Sequence, residues 1–154
     1  MFVKIVNMTV KTVLAVTAYG LITSQISLAD EAAAVTAPLN VEIDGVQKGG
    51  GPLYVSVQKR ADFEQPRGSA GGVYTVSKAG QIAYHYQLAP GAYSVMIWHD
   101  SNNDGRFSKD ADGKPLDGWG ASGPKLHHAP SFDDVKIIIP ATGKTVHIKM
   151  QYPH

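Results

Sequence analysis

The sequence predicts an all-β fold, a single sandwich of about seven short strands. Two observations carry this prediction. Apolar and polar residues alternate at a period of two along most of the chain, and glycine- and proline-rich turns separate the alternating segments. No segment after residue 29 shows the spacing of a convincing helix. The uneven strand lengths favour a sandwich over a closed barrel.

The first 29 residues have the pattern of a signal peptide. Lys4 and Lys11 supply a positive start, and residues 12–26 are mostly apolar. Small residues at Ser27 and Ala29 then stand at the two positions that a signal peptidase reads, so we expect export and cleavage before Asp30. The apolar stretch is short and broken by polar residues, which argues against a membrane-spanning helix.

The remaining 125 or so residues suit one domain. We expect a flexible lead at residues 30–38 and the sandwich at residues 39–152. Both lysines of the signal peptide are removed with it, which takes the formal charge from +1 to −1. That balance argues against nucleic acid or an anionic membrane as partner. The chain has no cysteine, so a disulfide framework and a thiol nucleophile are excluded.

Seven segments alternate as strands do. They are residues 39–44, 53–58, 73–76, 82–88, 93–98, 135–139 and 146–150. The segment 93–98 follows the turn Pro90-Gly91 and is apolar on both faces, which is typical of a central strand. Short strands at such spacing are typical of a Greek-key sandwich of the immunoglobulin-like or prealbumin-like kind.

The segment 100–134 is predicted to be one long loop. A loop of about 35 residues is well beyond the usual length and is normally either functional or disordered. Apolar side chains such as Phe107, Trp119 and Phe132 indicate order, because they can anchor the loop on the end of the sandwich. The loop also holds seven of the chain's 13 acidic residues: Asp100, Asp104, Asp110, Asp112, Asp117, Asp133 and Asp134.

The start of this loop fits the first half of a calcium-binding loop, D-x-[DN]-x-[DN]-G. Side-chain oxygens would come from the first three acid or amide positions, and a backbone carbonyl from the residue after the glycine. The glutamate usual at the twelfth position is replaced by Ala111, so a neighbouring aspartate would have to substitute. The candidate ligands are Asp100, Asn102, Asp104, Arg106, Asp110 and Asp112. The alternative is that these residues simply build Asx-turns.

Other residues of the loop suggest different chemistry. His99, next to Asp100, could act as an acid or base, or bind a transition metal together with His127 or His128. No nucleophile and no recognisable ligand spacing accompany it. Trp119, between two glycines, is either a lid over the core or a platform on which a sugar or aromatic group stacks.

The end of the loop, Phe132-Asp133-Asp134, precedes a predicted strand. We expect these three residues to order the loop or to contact a ligand. A carboxylate pair in this position is more typical of a solvated loop end than of a catalytic pair.

Three stretches in order, LAPGAYSVMIWHDSNNDGRF, GKPLDGWGAS and PSFDDVKIII, resemble the family of domain of unknown function 2141. The pattern of that family runs roughly as PGxYAVxxxHDxNxNGxLD, GxPxEGYGFS and PPSFDDAxF. Ala121 departs from it, where the family often has phenylalanine. The residues that match are Pro90, Gly91, Tyr93, His99, Asp100, Asn102, Gly105, Gly113, Pro115, Gly118, Trp119, Gly120, Ser122, Ser131, Phe132, Asp133 and Asp134. The resemblance implies an exported bacterial β-sandwich and names no reaction.

Taken together, the sequence indicates an exported, periplasmic or secreted module that binds a ligand or has a structural role. Calcium is the candidate cofactor. A cell-envelope component or another protein is the candidate partner. The alternative is a hydrolase or transition-metal protein that uses His99 with the carboxylates of the loop.

Overall fold

A computed structural model describes residues 34–65, 68–124 and 129–153 of the 154-residue chain. The predicted signal peptide, the first four residues of the lead, and His127 and His128 lie outside these ranges. Within them, no helix is long and apolar enough to cross a membrane.

The described chain is a β-sandwich, as predicted. A 3-10 turn spans Arg60–Asp62, and one short helix, α1, spans Phe132–Val135. The strands are β1 (Ala37–Val46), β2 (Leu53–Gln58), β3 (Ala70–Tyr74), β4 (Gly80–Leu88), β5 (Gly91–His99), β6 (Gly118–Ala121), β7 (Ile137–Ile139) and β8 (Lys144–Lys149).

Two sheets form the sandwich. The smaller has the order β4-β1-β8, with β1 antiparallel to β4 and parallel to β8. The larger has the order β3-β2-β5-β6, and β7 pairs with the first residues of β5. Strand β5 is therefore central, as its two apolar faces predict. Between the sheets lies a core of alternate aliphatic side chains from both, including Leu39, Val41, Val55, Val57, Val95 and Ile97.

The segment 100–134 contains more regular structure than the sequence predicts. It includes strand β6 and helix α1, so the described chain has eight strands where about seven are predicted. The sequence hides β6 because two of its four residues are glycines. At Gly120 a Cβ atom would lie 2.8 Å from Cγ2 of Ile148, so the approach of the opposite sheet requires glycine there.

The helix α1 is defined by its N-terminal capping box. The Asp134 carboxylate accepts hydrogen bonds from the backbone N–H and the hydroxyl of Ser131, at 2.8 and 2.7 Å. This capping closes the long segment just before β7. The loop is thus fixed at its far end by local chemistry as well as by packing.

Candidate functional site

Two buried carboxylates organise the first half of the long segment, residues 100–117, which we call the acidic loop. Asp100 is 1% exposed, and its side chain accepts hydrogen bonds from the N–H groups of Asp104 and Gly105, at 3.1 and 3.0 Å. Asp117 is fully buried and accepts from the N–H groups of Ser101 and Ser108, both at 3.0 Å. Each carboxylate thereby closes a loop of backbone that has no sheet partner.

The other predicted calcium ligands are exposed and form Asx-turns. The Asn102 side chain accepts from Asp104 N–H, Asp104 from Arg106 N–H, and Asp110 from Asp112 N–H. The amide of Asn102 also donates to the Asp104 carboxylate at 2.8 Å, and this hydrogen bond is the largest cause of the lowered pKa of Asp104. The turn chemistry considered as the alternative to calcium is therefore present in the fold.

His99 is enclosed at the end of β5. It is 1% exposed, its Nδ1 lies 2.8 Å from the Tyr152 hydroxyl, and its Nε2 lies 3.0 Å from the carbonyl oxygen of Gly49. A carbonyl only accepts, so Nε2 carries a proton. The Tyr152 hydroxyl also accepts from Gln47 N–H at 3.0 Å. Both nitrogens of His99 are thus occupied by groups of the chain itself, which leaves neither facing a cleft.

The outer face of the larger sheet carries a row of aromatic side chains. Tyr54 pairs with Trp98, and Trp98 pairs with Trp119, so three neighbouring strands each present one ring at the same level. The rings of Tyr54 and Trp98 stack at 4.2 Å with an angle of 11° between their planes. Phe107, from the acidic loop, meets the Trp98 ring edge-on at 6.3 Å.

These rings line an open cavity of about 890 Å³, which we call the aromatic groove. Its size lies within the range of small-molecule sites in proteins. The apolar part of its lining comes from Tyr54, Met96, Trp98, Phe107, Pro115 and Trp119. The polar part comes from Ser56, Gln58, Gln65, Lys109, Asp112 and Lys114.

Trp98 carries an unused hydrogen-bond donor beside this groove. Among the described residues, its indole N–H is the single buried side-chain polar atom without a partner. Leaving such a donor unpaired costs about 1–3 kcal/mol. The nitrogen is closed off from solvent, so the fold itself carries that cost.

The far end of the long segment is held by an aromatic and ionic cluster. Phe132 is buried and meets Phe63 edge-on at 5.8 Å, and Arg60 lies over the Phe132 ring at 4.6 Å. Asp133 is exposed and accepts hydrogen bonds from Arg60 and, at 3.1 Å, from Lys136. These contacts join the far end of the long segment to the 3-10 turn at Arg60–Asp62 and to Phe63.

The carboxylate of Asp133 should make the stability of the fold depend on pH in the acidic range. The hydrogen bonds from Arg60 and Lys136 lower its pKa from 3.8 to about 2. The unfolded chain therefore takes up this proton at higher pH than the folded chain. The contribution is fully present above about pH 4 and is lost as pH falls towards 2. We expect Asp133→Asn to flatten the fall of the urea midpoint across that window, while Asp112→Asn serves as the exposed control. An equal slope in both variants would contradict the assignment.

The structure separates the predicted site residues into two groups. Trp119 lines the groove together with Asp112, while His99, Asp100 and the Phe132–Asp134 cluster support the loop. Among the described residues, no three His, Cys, Asp or Glu side chains form a metal-binding group. Tyr54 and Trp98 were not predicted as site residues. These two residues can be recognised as neighbours on the outer face of the sheet only once the pairing of β2 with β5 is known.

No curated protein and no solved structure matches this chain. The sequence profile of one family matches residues 41–148, which is more than half of the chain and spans strands β1 to β8. That family is described as "uncharacterized protein conserved in bacteria", DUF2141. The resemblance seen in the three motifs is thereby confirmed, and the chain belongs to the DUF2141 family.

Proposed function

We propose that this protein is an exported binding module that holds a ring-bearing ligand in the aromatic groove. The observation that carries the proposal is the row Tyr54, Trp98 and Trp119, which faces outward on three adjacent strands. Aromatic rings of this kind ordinarily lie in the core, whereas here they line an open cavity of about 890 Å³. Large apolar surfaces kept open by a folded loop are typical of binding sites.

The lining of the groove defines the ligand that suits it. Flat aromatic surfaces stack on the apolar face of a sugar or of an aromatic ring. Lys109 and Lys114 outnumber Asp112 at the rim, which favours a ligand with a carboxylate. An acidic sugar chain satisfies both features, and export of the protein, expected from residues 1–29, would place it where such sugar chains occur.

The two tryptophans of the chain both line the groove, so intrinsic fluorescence reports on it directly. We expect titration with an oligogalacturonate to change this fluorescence saturably. A neutral chito-oligosaccharide and benzoate, which lacks the indole fluorescence of tryptophan, separate the contributions of the sugar ring, the carboxylate and a planar aromatic ring. If none of the three probes gives a saturable change, the proposal is wrong.

Trp119→Ala tests the groove by removing one wall of it. We expect affinity for the best of the three probes to fall about tenfold or more, since loss of a stacked ring costs roughly 1–3 kcal/mol of binding. Leu116→Ala is the matched control, because Leu116 belongs to the same segment, is 46% exposed and does not line the groove. Isothermal titration calorimetry measures the affinities of both variants. In Trp119→Ala, Trp98 remains as a fluorophore for a parallel fluorescence titration. Equal affinity in the two variants would move the site elsewhere.

Calcium binding by the acidic loop stays a prediction of the sequence. The exposed oxygens of Asn102 and Asp104 stand beside the buried carboxylate of Asp100, so an ion would have to replace N–H partners that these groups now hold. An ion that binds only the folded chain, at 100 times its Kd, adds about 2.7 kcal/mol to stability. We expect calcium to raise the unfolding temperature relative to EDTA, and Asp104→Asn to reduce that rise. An unchanged melting curve at millimolar calcium would contradict the prediction.

A further inference from the structure

The strand β4 forms one edge of the smaller sheet. It pairs with β1 along one side, from Gly80 to Leu88, and no described strand pairs with its other side. At about 3.4 Å per residue, nine residues present roughly 30 Å of edge with unpaired backbone groups. Such an edge is a template for another strand unless the sequence protects it.

The other edges of the sandwich are protected. Strand β8 carries Lys144 and Lys149, and charged side chains of this kind discourage strand addition. Strand β6 is covered by Gln151, which exchanges two backbone hydrogen bonds with Trp119 at 2.9 and 2.7 Å. Strand β3 has five residues, two of them glycines, and β7 has only three residues.

The sequence of β4, GQIAYHYQL, contains none of these protections. It has no proline, no lysine or arginine and no acidic residue. Its residues facing away from the core are exposed and neutral or weakly basic: Gln81, Ala83, His85 and Gln87. Its residues facing the core, Ile82, Tyr84 and Tyr86, are only partly buried, although they pack against the core cluster.

We propose that a second copy of this chain pairs with β4, so that the two β4 strands lie antiparallel around a twofold axis at Tyr84. The two three-stranded sheets would then form one continuous sheet of six strands. The aromatic groove lies on the other sheet and is left open by this pairing. The proposal is therefore independent of the ligand.

Self-complementarity argues for a second copy as the occupant. When β4 is reversed about Tyr84, Ile82 lies opposite Tyr86 of the second copy, and Tyr84 lies opposite its own counterpart. On the other face Gln81 lies opposite Gln87, and Ala83 opposite His85. Aromatic and β-branched cross-strand pairs stabilise a sheet, and no pair in this register brings two formal charges of the same sign together. Tyr84, which stacks on Tyr74 at 3.8 Å, and Tyr86, whose hydroxyl lies 3.0 Å from that of Tyr74, are partly buried in the single chain and would be covered further.

Substitutions at Gln81 and Gln87 give two double variants that differ only in the sign of the charge at position 87. In this register each lies opposite the other in the second copy, so one pair of substitutions acts twice. The variant Gln81→Lys/Gln87→Lys brings two lysines together at each of the two places, whereas Gln81→Lys/Gln87→Glu places opposite charges there. Both variants keep the side chain at 81 compatible with Glu42, to which Gln81 now donates at 3.5 Å.

Sedimentation equilibrium of the mature chain at low salt measures the outcome. We expect the wild type to sediment as a dimer. The dissociation constant of the double-lysine variant should exceed that of the lysine–glutamate variant by about tenfold or more. Circular dichroism spectra and melts recorded at concentrations where both variants are monomeric should agree, which shows that both single chains fold alike. A monomeric wild type at all accessible concentrations, equal dissociation constants, or growth into open-ended assemblies would each overturn the proposal.

Discussion

Replacing Asp117 by alanine should destabilise the protein by about 3 kcal/mol, because two partly buried backbone N–H groups lose a charged acceptor at once. Asp117 is fully buried, and its two oxygens each accept one backbone N–H at 3.0 Å, from Ser101 and Ser108. Sheet pairing satisfies neither of these groups. The carboxylate therefore does for the acidic loop what a neighbouring strand does for a sheet.

Urea unfolding measures the loss, and limited trypsin digestion locates it. Cleavage after Arg106 and Lys109, which lie in the acidic loop, should become faster in Asp117→Ala before the sandwich itself unfolds. Asp112→Ala is the matched control, since Asp112 is exposed in the same loop, and we expect a change within about 0.5 kcal/mol. If the two variants unfold at the same urea concentration, Asp117 does not organise the loop.

Much of the fold could be predicted from local alternation. Strand β2 begins and ends at the predicted residues 53 and 58, and the central strand β5 follows Pro90, although it begins at Gly91, where the sequence predicts a turn. The predicted all-β sandwich is confirmed. It could be predicted because an alternation with a period of two can be recognised without knowledge of tertiary contacts. Strand β6 was missed because Gly118 and Gly120 replace the apolar residues by which a strand is recognised. Glycine is needed at these two positions because a Cβ atom at Gly118 would clash with Tyr152 and one at Gly120 would clash with Ile148.

The groove could not be predicted because strand register creates it. Tyr54 and Trp98 are far apart in the chain, and only the pairing of β2 with β5 stacks one ring on the other. Trp119, in contrast, was recognised as a stacking platform or a lid from its flanking glycines. Asp117 was one acid among seven in the long segment. Nothing in its spacing distinguished a buried acceptor of two N–H groups from a solvated carboxylate.

His99→Ala should cost about 3 kcal/mol of stability, since it opens a cavity and leaves polar groups unpaired at the end of β5. The Gly49 carbonyl would lose its donor, and the Tyr152 hydroxyl would lose its partner at 2.8 Å. Burial raises the pKa of Tyr152, which keeps the phenol protonated and able to donate to Nδ1 of His99. Urea unfolding of the purified variant measures the loss.

Tyr152→Phe extends this prediction into a double-mutant cycle. The sum of the stability losses in the two single variants should exceed the stability loss in the double variant by about 1 kcal/mol. The reason is that each substitution removes one end of the same hydrogen bond. Full stability of His99→Ala would contradict this structural role of the histidine. A large loss of stability in His99→Ala, together with a coupling energy to Tyr152, would show that the hydrogen bonds of His99 hold β5, the turn at Gly49 and the chain after β8 together.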